Sequence, residues 1–82
     1  MRHQLGVVLD GEDDLGLMLH WGTIKVDGAM IGHMTNRVMS PKLNRNIGFA
    51  LVGRRFHPGQ EVTVDFVDHG VHSGKLVDLP FV

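Results

Sequence analysis

Six histidines raise the question of a bound metal, and His69-Gly70-Val71-His72 holds the nearest pair. A zinc site needs about three or four convergent N, S or O ligands. A histidine pair spaced across a turn does not aim both imidazoles at one point, and there is no cysteine to add a thiolate. The histidines are therefore expected on exposed loops, with no metal. Glu12-Asp13-Asp14 lacks the alternating oxygen ligands and closing glutamate of a calcium loop and reads as a solvated acidic turn. Ser40 is better placed to cap a turn than to attack a substrate. Ser73 has only His72 beside it, and that neighbour points to the opposite face of a strand. No residue is assigned a catalytic role. Five basic residues, Arg37, Lys42, Arg45, Arg54 and Arg55, crowd the middle of the chain. They form either a solvated face or a contact for an anionic partner, since the planar arginine fork suits carboxylates. Trp21 and Met18, beside His20, are expected in the core or as a plug at one end of it.

Whatever these residues do, a small body must position them. The chain has 82 residues, allowing one domain over 1–82, and a chain of this size buries only about 60–65% of its unfolded surface. Without cysteine no disulfide can staple it. The formal net charge is −1, which gives no reason to expect nucleic acid or an anionic membrane as a partner. No apolar run approaches the ~20 residues that span a bilayer. The expected setting is the cytoplasm.

Eleven glycines punctuate the apolar runs, at the roughly ten-residue spacing of an all-β sandwich or barrel. Leu5, Val7 and Leu9 share one face of a first strand, and Asp10 to Gly16 is a loop. Leu17 to Trp21 is apolar but too short to assign between strand, irregular segment and helical turn. Asp27-Gly28 between two short apolar runs predicts a type I′ hairpin, with the second strand continuing to about Val38. Ser40-Pro41-Lys42-Leu43 predicts a capped tight turn. Asn46 to Val52 is apolar on both faces, with Ile47, Phe49 and Leu51 opposing Gly48, Ala50 and Val52. One face would line a barrel and the other, of small residues, would lie beneath a neighbour. Val62, Val64 and Phe66 alternate with polar residues after the Pro58-Gly59 turn, and Asp68-His69-Gly70 closes a second hairpin. The last strand runs from Val71 to Leu79, with Gly74 expected as a bulge. The architecture expected is a small closed or nearly closed antiparallel barrel of about six strands, Greek-key-like, with Val7, Phe49, Val64 and Phe66 inside.

The ordered series Gly32-x-x-Thr35, Ser40-Pro41-x-Leu43-x-x-Asn46-Ile47-Gly48, Pro58-Gly59-x-x-Val62-x-Val64 and Leu79-Pro80-Phe81-Val82 resembles the C-terminal barrel domain of the glycine cleavage system T-protein family. That family comprises folate-dependent aminomethyltransferases and the related folate domains of sarcosine and dimethylglycine dehydrogenases. Leu5 to Gly11 resembles the family's first strand and loop, and Val26 to Gly32 its hairpin. The sequence departs from relatives at His33 and Asn36, where they commonly carry a small or acidic residue and a serine.

The resemblance implies a barrel that caps a folate-binding body whose own sequence, including its catalytic aspartate, is not in this chain. The expected function is then an accessory module that docks on a separate folate-binding catalytic subunit of one-carbon metabolism. Tetrahydrofolate would be bound only in the complex, and the central cations would meet either its glutamate tail or an acidic surface of that subunit. The alternatives are a self-associating structural barrel, in which a second copy covers the Gly48, Ala50 and Val52 face, and a piece of a longer enzyme.

Overall fold

The computed structural model describes residues 2–11, 15–16 and 20–79. Among the described residues seven strands follow one another: β1 (Arg2–Leu9), β2 (Gly22–Val26), β3 (Ala29–Met34), β4 (Val38–Ser40), β5 (Arg45–Gly53), β6 (Glu61–Phe66) and β7 (Gly70–Val77). All pairings are antiparallel, in the order β1-β7-β6-β2-β3-β5, and β1 pairs again with β5 to close a six-stranded barrel. The short β4 is the extra strand, added beside β5 where β3 has ended. Closure leaves the main strands without free edges.

Local sequence explains most of these elements. Asp27 and Gly28 both adopt positive φ, 52° and 82°, as the tight turn between β2 and β3 requires. The Ser40 hydroxyl accepts a hydrogen bond from the Leu43 amide at 3.2 Å, capping the turn as expected. On β1 the buried row is Leu5, Val7 and Leu9, and on β6 it is Val62, Val64 and Phe66, so the period of two holds on both. Ile24, Met34, Val52 and Leu76 complete the centre of the core.

The structure corrects four expectations. The second strand of the first hairpin stops at Met34 instead of reaching Val38. The chain breaks over Thr35–Arg37 and resumes as β4. Gly74 is not a bulge, since β7 keeps unbroken register with both β6 and β1; its inward row is Gly74 and Leu76, which puts Lys75 outward. The irregularity lies instead between β2 and β3, where the register skips Ile31. That bulge lets Ile31 be buried next to the buried Gly32. Trp21 is exposed (59%), with its ring 5.9 Å from that of His33, and is not a core plug. Met18 lies outside the described residues.

The fourth correction is the phase of β5. Ala50 and Val52 are fully buried and Phe49 is 37% exposed, so the small row faces the interior and the large row faces out. The cause is the chain break. Segment 34–36 dips over the inner side of β5, and a Cβ at Gly48 would collide with the carbonyl oxygen of Asn36 and the Met34 side chain. Only small residues fit beneath it, so Phe49 does not line the barrel as Val7, Val64 and Phe66 do.

Candidate functional site

Antiparallel pairing gathers the connections at two ends. One mouth carries Asp10–Gly11, Leu15–Gly16, His20–Trp21, Thr35–Asn44 and Val67–His69; the other carries Asp27–Gly28 and Arg54–Gln60. The five cations are divided between them. Arg37, Lys42 and Arg45 belong to the first mouth, Arg54 and Arg55 to the second, and the nine residues of β5 hold the groups roughly 25–30 Å apart. No single small anion meets all five.

Within the first mouth the cations differ. Lys42 is exposed, and the half-buried Arg45 donates from Nη1 to the Asn44 carbonyl at 2.8 Å. Arg37 is buried, its side chain wholly inaccessible. Its Nε donates to the Gly16 carbonyl at 3.3 Å and its Nη2 to the Leu15 carbonyl at 3.2 Å. The same Nη2 lies 3.7 Å from Asp68 Oδ2, and the guanidinium rests 4.7 Å from the centre of the Phe66 ring. Asn46, only 2% exposed, accepts a hydrogen bond from the Leu15 amide at 3.2 Å. Two buried polar side chains thus strap residues 15–16 across the mouth. Desolvated charge is tolerable there because carbonyls, a carboxylate and an aromatic face receive it.

Thr35, Ser40, Pro41, Leu43, Asn46 and Gly48, among the residues that carried the resemblance, share this region. Thr35 donates its amide to the Phe49 carbonyl at 2.9 Å. Asn36 Oδ1 accepts the Phe49 amide at 2.7 Å, standing in for the backbone carbonyl that the broken strand does not offer. Ser40, Pro41 and Leu43 make the capped turn, Asn46 holds the strap, and Gly48 admits segment 34–36. Gly32 is buried where β3 and β5 come close. Pro58 and Gly59 make the turn at the opposite mouth. Pro80 and Phe81 lie outside the described residues. Sequence reasoning missed Asp68, visible only as a turn residue, and the bridging role of Asn36, whose signal was its position at the departure from relatives.

A cleft of about 60 Å³ beside the strap is lined by Asp10, Gly11, Leu15, Asn46 and His72. His72 is half-buried, its Nε2 3.0 Å from the His69 carbonyl oxygen and its ring 5.9 Å from that of Phe66. His69 is exposed beside Asp68. Among the described residues no three His, Asp or Glu side chains converge to hold a metal ion. An open groove of about 350 Å³ on the outside of β2 and β6 is lined by polar groups, including Lys25, Asp27, Glu61, Thr63 and Ser73. Among the described residues no helix is long and apolar enough to cross a membrane.

Among the described residues the barrel interior is filled by core side chains, and the cleft at the first mouth is smaller than the ~300–1,000 Å³ of small-molecule sites.

The outside of β5 is the other distinctive feature. Across the register, Val8, Ile47 and Val38 form one row over β1, β5 and β4, while Gln4, Leu51 and His33 form another over β1, β5 and β3. Phe49 lies between these rows, opposite Gly6. The large apolar side chains of β5 thus face outward as a continuous patch.

Comparison with known proteins gives a consistent neighbourhood. Residues 2–82 match the family described as the glycine cleavage T-protein C-terminal barrel domain. An aminomethyltransferase of Bacillus velezensis is 39% identical over 67 residues, which cover 80% of this chain and 18% of that protein. One from Halothermothrix orenii is 33% identical over 82 residues, 99% of this chain and 22% of that protein. One from a Parafrankia species is 43% identical over 56 residues, 68% of this chain and 15% of that protein. The chain thus spans about a fifth of the length of these relatives.

Proposed function

The chain belongs to the family of glycine cleavage T-protein C-terminal barrel domains, and on that footing we propose that it is an accessory barrel for a separate folate-binding catalytic subunit in glycine or methylamine one-carbon metabolism. The observation that supports this reading is the match of residues 2–82 to this barrel family, together with the large apolar row Ile47, Phe49 and Leu51 on the outside of β5. The match runs over residues 2–82 but reaches only 18–22% of aminomethyltransferases that pair with most of this chain. The barrel contributes shape and basic residues, and the aminomethyl chemistry belongs to the partner. Tetrahydrofolate is bound in the complex and not by the barrel alone, in keeping with the filled interior. The setting is cytoplasmic. The same coverage favours one second reading, in which this sequence is a piece of a longer T-protein-like polypeptide and the catalytic body is covalently attached.

Titration of labelled chain with tetrahydrofolate, alone and with candidate catalytic subunits, tests the proposal. Folate-dependent association with a subunit is the expected result. Tight folate binding by the chain alone, or no association with any such subunit, overturns it.

A further inference from the structure

We propose that the open groove on the outside of β2 and β6 is a site for a small α-amino acid zwitterion. Its volume, about 350 Å³, is the space of roughly a dozen waters, so it admits a small molecule and not only an ion. The strand register orders its lining. Lys25 stands opposite Thr63, and Thr63 opposite Ser73, which sets an ammonium and two hydroxyls in one row across three strands. Two residues nearer the second mouth, β6 begins at Glu61 and Asp27 follows the end of β2. Both carboxylates thus lie about 7 Å along the strands from the first row. One end of the groove donates and the other is acidic.

Both ends have capacity for a ligand. Among the described residues no protein donor engages the Asp27 or Glu61 carboxylate, Lys75 across from Glu61 closes no ion pair with it, and the Ser73 hydroxyl has no protein partner. Gln60 donates its Nε2 to the Glu61 backbone carbonyl at 2.9 Å and so leaves both acids to solvent. Lys25 lies 4.0 Å from Asp65 with both side chains well exposed, a pair too loose to hold it in place. These groups select the occupant. A simple anion meets two carboxylates, and a simple cation meets Lys25. A molecule carrying both charges a few bonds apart satisfies both ends, its carboxylate on Lys25, Thr63 and Ser73 and its ammonium on Glu61 and Asp27. Val62 is buried and Val26 half-buried, so the apolar wall is small and suits a short aliphatic side chain rather than a ring system.

Titration of the isotope-labelled chain with L-alanine, followed by nuclear magnetic resonance, tests the site. Exposed ion pairs are individually weak, so a dissociation constant of about 1–10 mM is expected, with saturable shifts at the amides of Lys25, Glu61, Thr63 and Ser73. Ethylamine, which lacks the carboxylate, and propionate, which lacks the ammonium, should each bind about three- to fivefold more weakly. Lys25→Met and Glu61→Gln should weaken alanine binding by a similar factor, each with the rest of its spectrum unchanged. Shifts that do not saturate at about 100 mM alanine, well beyond that range, or that fall away from the groove, overturn the site. Ethylamine or propionate binding as well as alanine makes the groove a site for a single charge and overturns the zwitterion.

Discussion

The Arg37 guanidinium, wholly inaccessible, lies 3.7 Å from the carboxylate of Asp68 and spans the barrel mouth to reach it. The pair joins the break between β3 and β4 to the turn between β6 and β7, with residues 15–16 held beneath Arg37. Removing the buried member costs more than removing the exposed one. Arg37→Ala strips the Leu15 and Gly16 carbonyls of a donor and opens space over Phe66, with an expected loss of about 2–5 kcal/mol from the cavity and the lost hydrogen bonds. Asp68→Asn leaves the charge with its carbonyl and aromatic partners and should cost about 1 kcal/mol, since Asp68 is partly exposed and screened. Urea midpoints of the two variants check the order.

The break between β3 and β4 predicts contrasting effects at two glycines. A Cβ at Gly48 meets the Asn36 carbonyl oxygen, which is backbone and cannot swing away. Gly48→Ala should therefore cost about 1–3 kcal/mol through overpacking. At Gly53 the added Cβ would sit 3.6 Å from the Phe56 ring, ordinary contact with no unusual φ. Gly53→Ala should be neutral or stabilising by up to about 1 kcal/mol. Equal losses would mean that segment 34–36 does not lie over β5.

Asn36 replaces a missing rung of the ladder, and its oxygen is what matters. Asn36→Ala should lose about 0.5–1.5 kcal/mol, the worth of one hydrogen bond. Asn36→Asp keeps an acceptor in the same place and should lose less. Hydrogen exchange of the Phe49 amide reports this directly, accelerating in the alanine variant and remaining slow in the aspartate one.

How far the sequence disclosed this structure differs by element. β1 and β6 are half-polar, so alternation alone set their inward rows, and the Asp27-Gly28 and Ser40-Pro41 turns follow from local chemistry. β5 offered no such contrast. With both rows apolar, the choice of inner face depends on how much room the fold leaves, and that is set by Asn36 and Met34 arriving from a different strand. Arg37 was legible as a cation but not as a buried one, because its receivers, Leu15, Gly16, Phe66 and Asp68, converge only after closure. The family motif, by contrast, marked Ser40, Asn46 and Gly48, whose roles in the cap, the strap and the close approach are all local to the first mouth.

The phase of β5 has a direct energetic signature. Phe66 is 1% exposed at the centre of the core, and Phe66→Ala should cost about 3–5 kcal/mol. Phe49→Ala should cost less, about 2 kcal/mol in the free chain, because the residue is already 37% exposed. Thermal unfolding of both variants of the free chain checks the order.

The isolated chain should neither bind tetrahydrofolate tightly nor form methylenetetrahydrofolate from glycine-derived or methylamine substrates. The argument is one of space and of chemistry. The cleft at the first mouth, about 60 Å³, holds little more than ordered water, and the groove outside β2 and β6 is open and mostly polar, without the apolar walls that bury a ring system. A base positioned to take a proton must lie within about 2.6–3.2 Å of it in a substrate pose, but His72 is turned toward the His69 carbonyl and the Phe66 ring. Adding a catalytic body should restore turnover, and Arg45→Glu or Arg54→Glu should then slow association most at low salt, since rim charges act mainly on encounter. Turnover by the purified chain alone would place chemistry in the barrel itself, and rates of association indifferent to both substitutions and to salt would remove the cations from the rim.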